Sequence, residues 1–152
     1  MLLREQVRDA VAAVTDPELP VVTIADLGVL ETVDVDEASG RVRVDLVPTF
    51  LGCPALRLIE GDVRAAAAAV AGVRDVEVRF LAAPRWTPDR ITAEGRAALA
   101  GDLGIAVREA GFVTCPVCGG TRVEERSPFG PTACRAIAFC PDCRNAVEVI
   151  RP

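Results

Sequence analysis

Residues 41–63 read RVRVDLVPTFLGCPALRLIEGDV, and the change of period inside them decides the fold. Val42, Val44 and Leu46 alternate with polar residues, the pattern of a half-buried strand. Past PTFLGCPAL the apolar residues Leu56, Ile59, Val63, Ala67 and Val70 recur at helical spacing, through an alanine-rich run of high helix propensity. A strand therefore feeds a helix through a short turn that holds Thr49, Gly52, Cys53 and Pro54. Upstream, VLETVDV also alternates and DEASG supplies a turn, so 29–47 is expected to form a hairpin. Downstream, Gly72 stops the helix and VRDVEVRFL supplies a third strand.

The flanks extend this pattern. Leu3, Val7, Ala10, Val11 and Val14 mark a first helix, which cannot continue through the prolines of Thr15-Asp16-Pro17-Glu18-Leu19-Pro20. The apolar VVTIADLGVL follows, with Asp26-Leu27-Gly28 embedded in it. After the third strand, APRWTP reads as a loop, and Thr92 is placed to cap a short helix in TAEGRAALAGDLGI. The order helix–strand–strand–helix–strand–helix predicts an α+β fold: a two-layer α/β domain over 1–110, with helices on a small mixed sheet. From Gly111 the texture turns to cysteines, prolines and turn residues, which predicts a second domain over 111–152.

Composition narrows the chemistry. A hydrophobic content of 51% supports a packed core. The amphipathic start and the absence of an apolar run of about 18 residues point to a soluble, cytoplasmic chain with no membrane partner. Residues 1–110 carry a net charge of −6 and the remainder +1, with no basic stripe, so no nucleic-acid partner is expected. Histidine, lysine and tyrosine are absent. That removes Ser-His and Cys-His nucleophile pairs, histidine metal ligands and lysine Schiff bases. No catalysis by this chain alone is expected.

Five of the six cysteines fall in the tail. Cys115-Pro116-Val117-Cys118 and Cys140-Pro141-Asp142-Cys143 are two C-x2-C hooks 21 residues apart, near the spacing of a four-cysteine zinc site. Each hook can turn two thiolates toward one ion. About 40 residues with few large apolar side chains need such a staple, so a structural zinc is expected. Iron of the rubredoxin kind is the alternative, and paired disulfides conflict with a reducing compartment. Cys134 lies outside both hooks. Three readings stay open for it: a buried hydrophobe, an alternate ligand, or a second reactive thiol.

Cys53 is the one thiol in the first 114 residues. If the helix begins at Pro54, the sulfur sits at the N-cap, where unpaired N–H groups and the helix dipole favour the thiolate. Three readings are open here too: a packing residue, a reactive thiol, or half of a site completed by another chain, which a homodimer would supply. Asp16, Glu18 and Asp26 are candidate carboxylate partners. The alternative for Asp16 and Asp26 is turn capping.

Taken together, DPELPVVTIADLGVL, PTFLGCPAL and PRWTPDRITAEGRAALAGDLGIA resemble the metal-sulfur cluster assembly family. With the tail CPVCGG…SPFGPTACRAIAFCPDC, the resemblance is to its phenylacetate-degradation (PaaD) branch. It implies an iron-sulfur cluster assembly-like domain followed by a zinc ribbon. It further implies an accessory subunit of the multicomponent phenylacetyl-CoA 1,2-epoxidase, assisting assembly of an iron-sulfur or di-iron centre in the partner subunits. In that reading Cys53 handles transient iron or a cluster, supported by Asp16, Glu18, Asp26, Thr49 and Gly52. Cys115, Cys118, Cys140 and Cys143 hold zinc. An electron carrier with iron in the tail, or a purely scaffolding subunit, are the competing readings.

Overall fold

The computed structural model describes residues 1–151. The chain divides into two compact units, one over Met1–Trp86 and one from Thr87 onward.

In the first unit, α1 (Leu3–Ala12) precedes a short hairpin of β1 (Thr15–Asp16) and β2 (Leu19–Thr23). Then come β3 (Leu30–Asp36), β4 (Arg41–Leu46), α2 (Leu56–Ala68) and β5 (Asp75–Phe80). β3 and β4 pair antiparallel, while β4 and β5 pair parallel across the α2 crossover, giving the mixed sheet β3-β4-β5. Val7 and Val11 of α1 and Ile59, Val63 and Ala67 of α2 are buried, each set at the spacing of one helix face. The helices pack on each other, α1 also on β3 and α2 also on β5. The strands answer with Val33, Val35, Val42, Val44, Leu46 and Val76.

The other residues of each strand form a charged face. One cross-strand row consists of Thr32, Asp45 and Arg79 in register. Arg79 grips Asp45 with two hydrogen bonds (Nε to Oδ1 2.7 Å, Nη2 to Oδ2 3.0 Å), and the Thr32 hydroxyl donates to Oδ2 at 3.1 Å. Asp45 is the buried charged residue of the described chain. The Arg79 hydrogen bond, opposed by desolvation, holds its carboxyl below the ordinary value of 3.8. A carboxylate with a lowered folded pKa stabilises the fold above its unfolded pKa, and that contribution disappears as pH falls through the folded value. Arg79→Ala is therefore expected to lower the urea midpoint at pH 7, with the deficit closing as pH drops below about 3.8. Urea titrations at a series of pH values measure it.

The second unit begins with a 3-10 turn at Pro88–Arg90, then α3 (Ala93–Leu103) and four strands. These are β6 (Ile105–Ala106), β7 (Glu124–Ser127), β8 (Arg135–Phe139) and β9 (Ala146–Ile150), in the order β6-β9-β8-β7. α3 starts as expected: the Thr92 hydroxyl accepts from the Gly95 N–H at 3.1 Å. It ends on Gly104 at φ 62°, a left-handed position suited to glycine.

Residues 87–110 pack in one compact unit with the cysteine tail. β6 pairs parallel with β9, Ile105 opposite Glu148 and Ala106 opposite Val149, and α3 packs on β6. That pairing draws residues 87–110 into the unit of the cysteines. A two-residue strand paired to a partner about 40 residues away leaves no local sequence period to announce it.

Candidate functional site

Both hooks fold as knuckles, the first in the connection between β6 and β7 and the second in the turn between β8 and β9. Gly119 takes φ 77° and lets the chain reverse, so that its N–H donates to the Cys115 carbonyl at 2.9 Å. In the second knuckle the Arg144 N–H donates to the Cys140 carbonyl at 2.7 Å, with Arg144 itself at φ 62°. The four sulfurs of Cys115, Cys118, Cys140 and Cys143 lie within 4.8 Å of one another. Cys115 and Cys143 are 3.7 Å apart and Cys118 and Cys140 3.6 Å. A tetrahedron with zinc–sulfur bonds of about 2.3 Å has edges of about 3.8 Å, so the cage fits a metal held by four thiolates.

Donors surround the cage. The Val117 N–H points at the Cys115 sulfur, the Gly120 N–H at that of Cys118 and the Asn145 side-chain amide at that of Cys143, each at 3.4 Å. The Asn145 side chain, then its backbone N–H, holds the Cys143 thiol down at about 6 against desolvation. At Cys118 the Gly120 N–H favours the thiolate, but desolvation and the sulfurs of Cys140, Cys143 and Cys115 outweigh it and push the thiol up to about 12. Four thiols this close resist ionising together unless a cation sits among them. Cys115 and Cys140 are themselves core residues, packed with Val113, Ala138, Val147 and Val149. With all four positions taken by protein, the ion would have no open face for substrate and would serve as structure.

Cys134 is not in the cage. It lies just before β8, half-buried, its sulfur 3.2 Å from the Thr132 hydroxyl, and its carbonyl accepts from the Arg151 N–H at 2.8 Å.

Cys53 sits in the first unit, on the turn between β4 and α2. The expected N-cap position is not what forms. Ala55 is the N-cap, already helical at φ −66° and ψ −17°, and α2 starts at Leu56. The Leu56 N–H donates to the Cys53 carbonyl at 3.2 Å, closing a tight turn ahead of the first helical bond from Ile59 to Ala55. Pro54, limited to a helix-compatible φ, fits this pre-turn as well as it fits an N1 site. Cys53 is a half-buried thiol two residues upstream of the helix cap. Helix-dipole effects fade within the first turn, and Cys53 lies outside the cap position where they act most strongly.

Thr49 is half-buried and Gly52 exposed on the same turn. The Phe50 ring folds back over Gly52, where a Cβ would lie 2.9 Å from a ring carbon. Asp16 and Asp26 hold turns. Asp16 Oδ1 accepts from the Glu18 and Leu19 N–H groups at 2.7 and 3.2 Å, and Asp26 exchanges hydrogen bonds with the Thr23 hydroxyl at 3.1 and 3.0 Å. Glu18 is half-buried between β1 and β2. Trp86 is a participant that the sequence pattern alone places in a loop. Its buried indole N–H donates to the Leu27 carbonyl at 2.7 Å, which pins the Asp26-Leu27-Gly28 turn. Its signal in the sequence is its rarity, one tryptophan in the chain.

Comparison with known proteins accounts for both units. The family described as iron-sulfur cluster assembly protein matches residues 4–80, and the PaaD zinc beta ribbon domain matches 104–151. An Escherichia coli protein, named as a subunit of a "Putative 1,2-phenylacetyl-CoA epoxidase", is 34% identical over 91% of this chain and 86% of its own length. The Fe-S protein maturation auxiliary factor YitW of Bacillus subtilis is 36% identical, covering 64% of this chain and 93% of that protein. Among solved structures, a domain of unknown function, DUF59, from Bacillus anthracis superposes with a TM-score of 0.58 at 30% identity, over 64% of this chain and 91% of that one.

Proposed function

We propose, from the premise that this chain belongs to the iron-sulfur cluster assembly protein family and ends in a PaaD zinc β-ribbon, that it is the maturation subunit of a phenylacetyl-CoA 1,2-epoxidase. Its role is to assist assembly of iron centres in partner subunits, with no reaction of its own on the aromatic substrate. The observation that carries this reading is the likeness to the Escherichia coli protein, which runs through both units rather than through the assembly domain alone.

The site supports it in chemical terms. Cys53 lies on a turn whose neighbours Phe50, Leu51 and Leu58 are exposed apolar side chains, 50%, 65% and 59% accessible. A thiol beside exposed apolar groups suits transient contact with a client protein, where iron or sulfide changes hands. Zinc in the ribbon would be structural, held by Cys115, Cys118, Cys140 and Cys143.

Co-expression of the epoxidase subunits with and without this chain tests the proposal. Iron and acid-labile sulfide in the purified partners are expected to drop markedly when the chain is omitted, and epoxidation with them. Equal metal loading in both preparations would remove the maturation role.

A further inference from the structure

We propose that Arg122 and Asp142 form a clasp between the two knuckles and act as positioning residues that slow the escape of the ribbon's metal. Asp142 stands between the cysteines of the second knuckle, yet its carboxylate reaches the first. It forms an ion pair with Arg122, two residues beyond Gly120. The same carboxylate lies over Gly120 so closely that a Cβ there would overlap it, and the Cys118 sulfur would be 3.3 Å from that Cβ.

This contact gives the Gly119-Gly120 pair two separate reasons. Gly119 is required by its positive φ; Gly120 is required by the space Asp142 fills. The peptide of Gly120 also orders the first knuckle. Its N–H points at the Cys118 sulfur and its carbonyl accepts from the Cys115 N–H at 2.8 Å. Asp142 therefore packs against the loop that aims two of the four sulfurs, and its ion pair with Arg122 holds it there.

A metal leaves a closed four-thiolate cage when the knuckles part or a competing ligand reaches a sulfur. Cys115 and Cys140 are buried, so opening has to begin at Cys118 and Cys143, where the clasp lies. The pair is open to solvent, 73% for the Arg122 side chain and 33% for Asp142, which limits its strength and makes it sensitive to salt.

The test follows zinc release from the purified full-length chain into excess chromogenic chelator. Arg122→Gln and Asp142→Asn are each expected to release zinc about threefold faster than wild type, the scale of one exposed ion pair. The double variant should be no faster than either single one. Raising salt from about 0.05 to about 0.5 M should speed the wild type toward the variants and leave Arg122→Gln unchanged. Arg122→Lys should recover most of the slow rate. Unchanged rates in the single variants, effects that multiply in the double variant, or a wild type indifferent to salt would each overturn the clasp. The salt series compares wild type with Arg122→Gln, so it decides even if Asp142→Asn folds poorly.

Discussion

Cys140→Ser is expected to empty the metal site and unfold the β6-β9-β8-β7 sheet, while the α1-to-β5 unit stays folded. Cys140 is fully buried and belongs to the same cluster as Ala106, Val113, Cys115, Ala138, Val147 and Val149. That cluster is made of valines, alanines and cysteine, and Ile105 and Ile150 are the larger buried side chains of the same sheet. Such side chains bury too little apolar surface to offset the entropy of ordering the long connection between the knuckles. The metal supplies the difference. Structural zinc in small cysteine-rich peptides contributes about 10–16 kcal/mol near neutral pH, as much as the whole stability of a typical domain. A buried serine hydroxyl is a poor replacement for a thiolate and adds an unsatisfied polar group to the core. Metal analysis together with amide signals, recorded on wild type and variant, measures the result. The variant should lose about one metal per chain and the protected amides of β8 and β9. Retention of both would show that the ribbon stands without its four-sulfur cage.

Cys53→Ala is expected to give the opposite profile, an intact protein with an impaired client. The half-buried thiol lies on an exposed turn, and its backbone bonds to Phe50 and Leu56 survive the change. Alanine fits every backbone angle that cysteine adopts there, so the melting temperature should shift little. Iron and sulfide in the co-expressed epoxidase partners should fall nearly as far as when this chain is omitted. Full loading of the partners by Cys53→Ala would shift the assignment from the thiol to the apolar surface of Phe50, Leu51 and Leu58. Activity is the secondary readout, since it follows metal content.

Much of this architecture is written in local periods. The alternation of Val42, Val44 and Leu46 and the helical spacing of Ile59, Val63 and Ala67 each name one face of one element, and both faces point into the core. The two hooks are legible for a similar reason, because a pair of C-x2-C hooks at this separation has few uses besides gathering sulfur around an ion. What escapes such reading is long-range. β6 carries two residues, Ile105 and Ala106, and becomes a strand through pairing with β9. The start of α2 differs from expectation because proline permits both a tight pre-turn and a first helical residue, and the choice is made by the Leu56-to-Cys53 bond. Asp16 and Asp26 sit in motifs that resemblance marks as functional, yet their oxygens are engaged in shaping turns.

The indole of Trp86 has a practical consequence. The chain holds one tryptophan and no tyrosine, so its indole emission comes from a single ring. That ring is 5% exposed and bonded to Leu27, a dry setting that shifts emission to the blue and reports on the Asp26-Leu27-Gly28 turn alone. Fluorescence therefore watches the first unit, while sulfur-to-metal charge-transfer absorption of a cobalt-loaded sample watches the second. Two colours of light can time the melting of each unit in one cuvette, without a label on either.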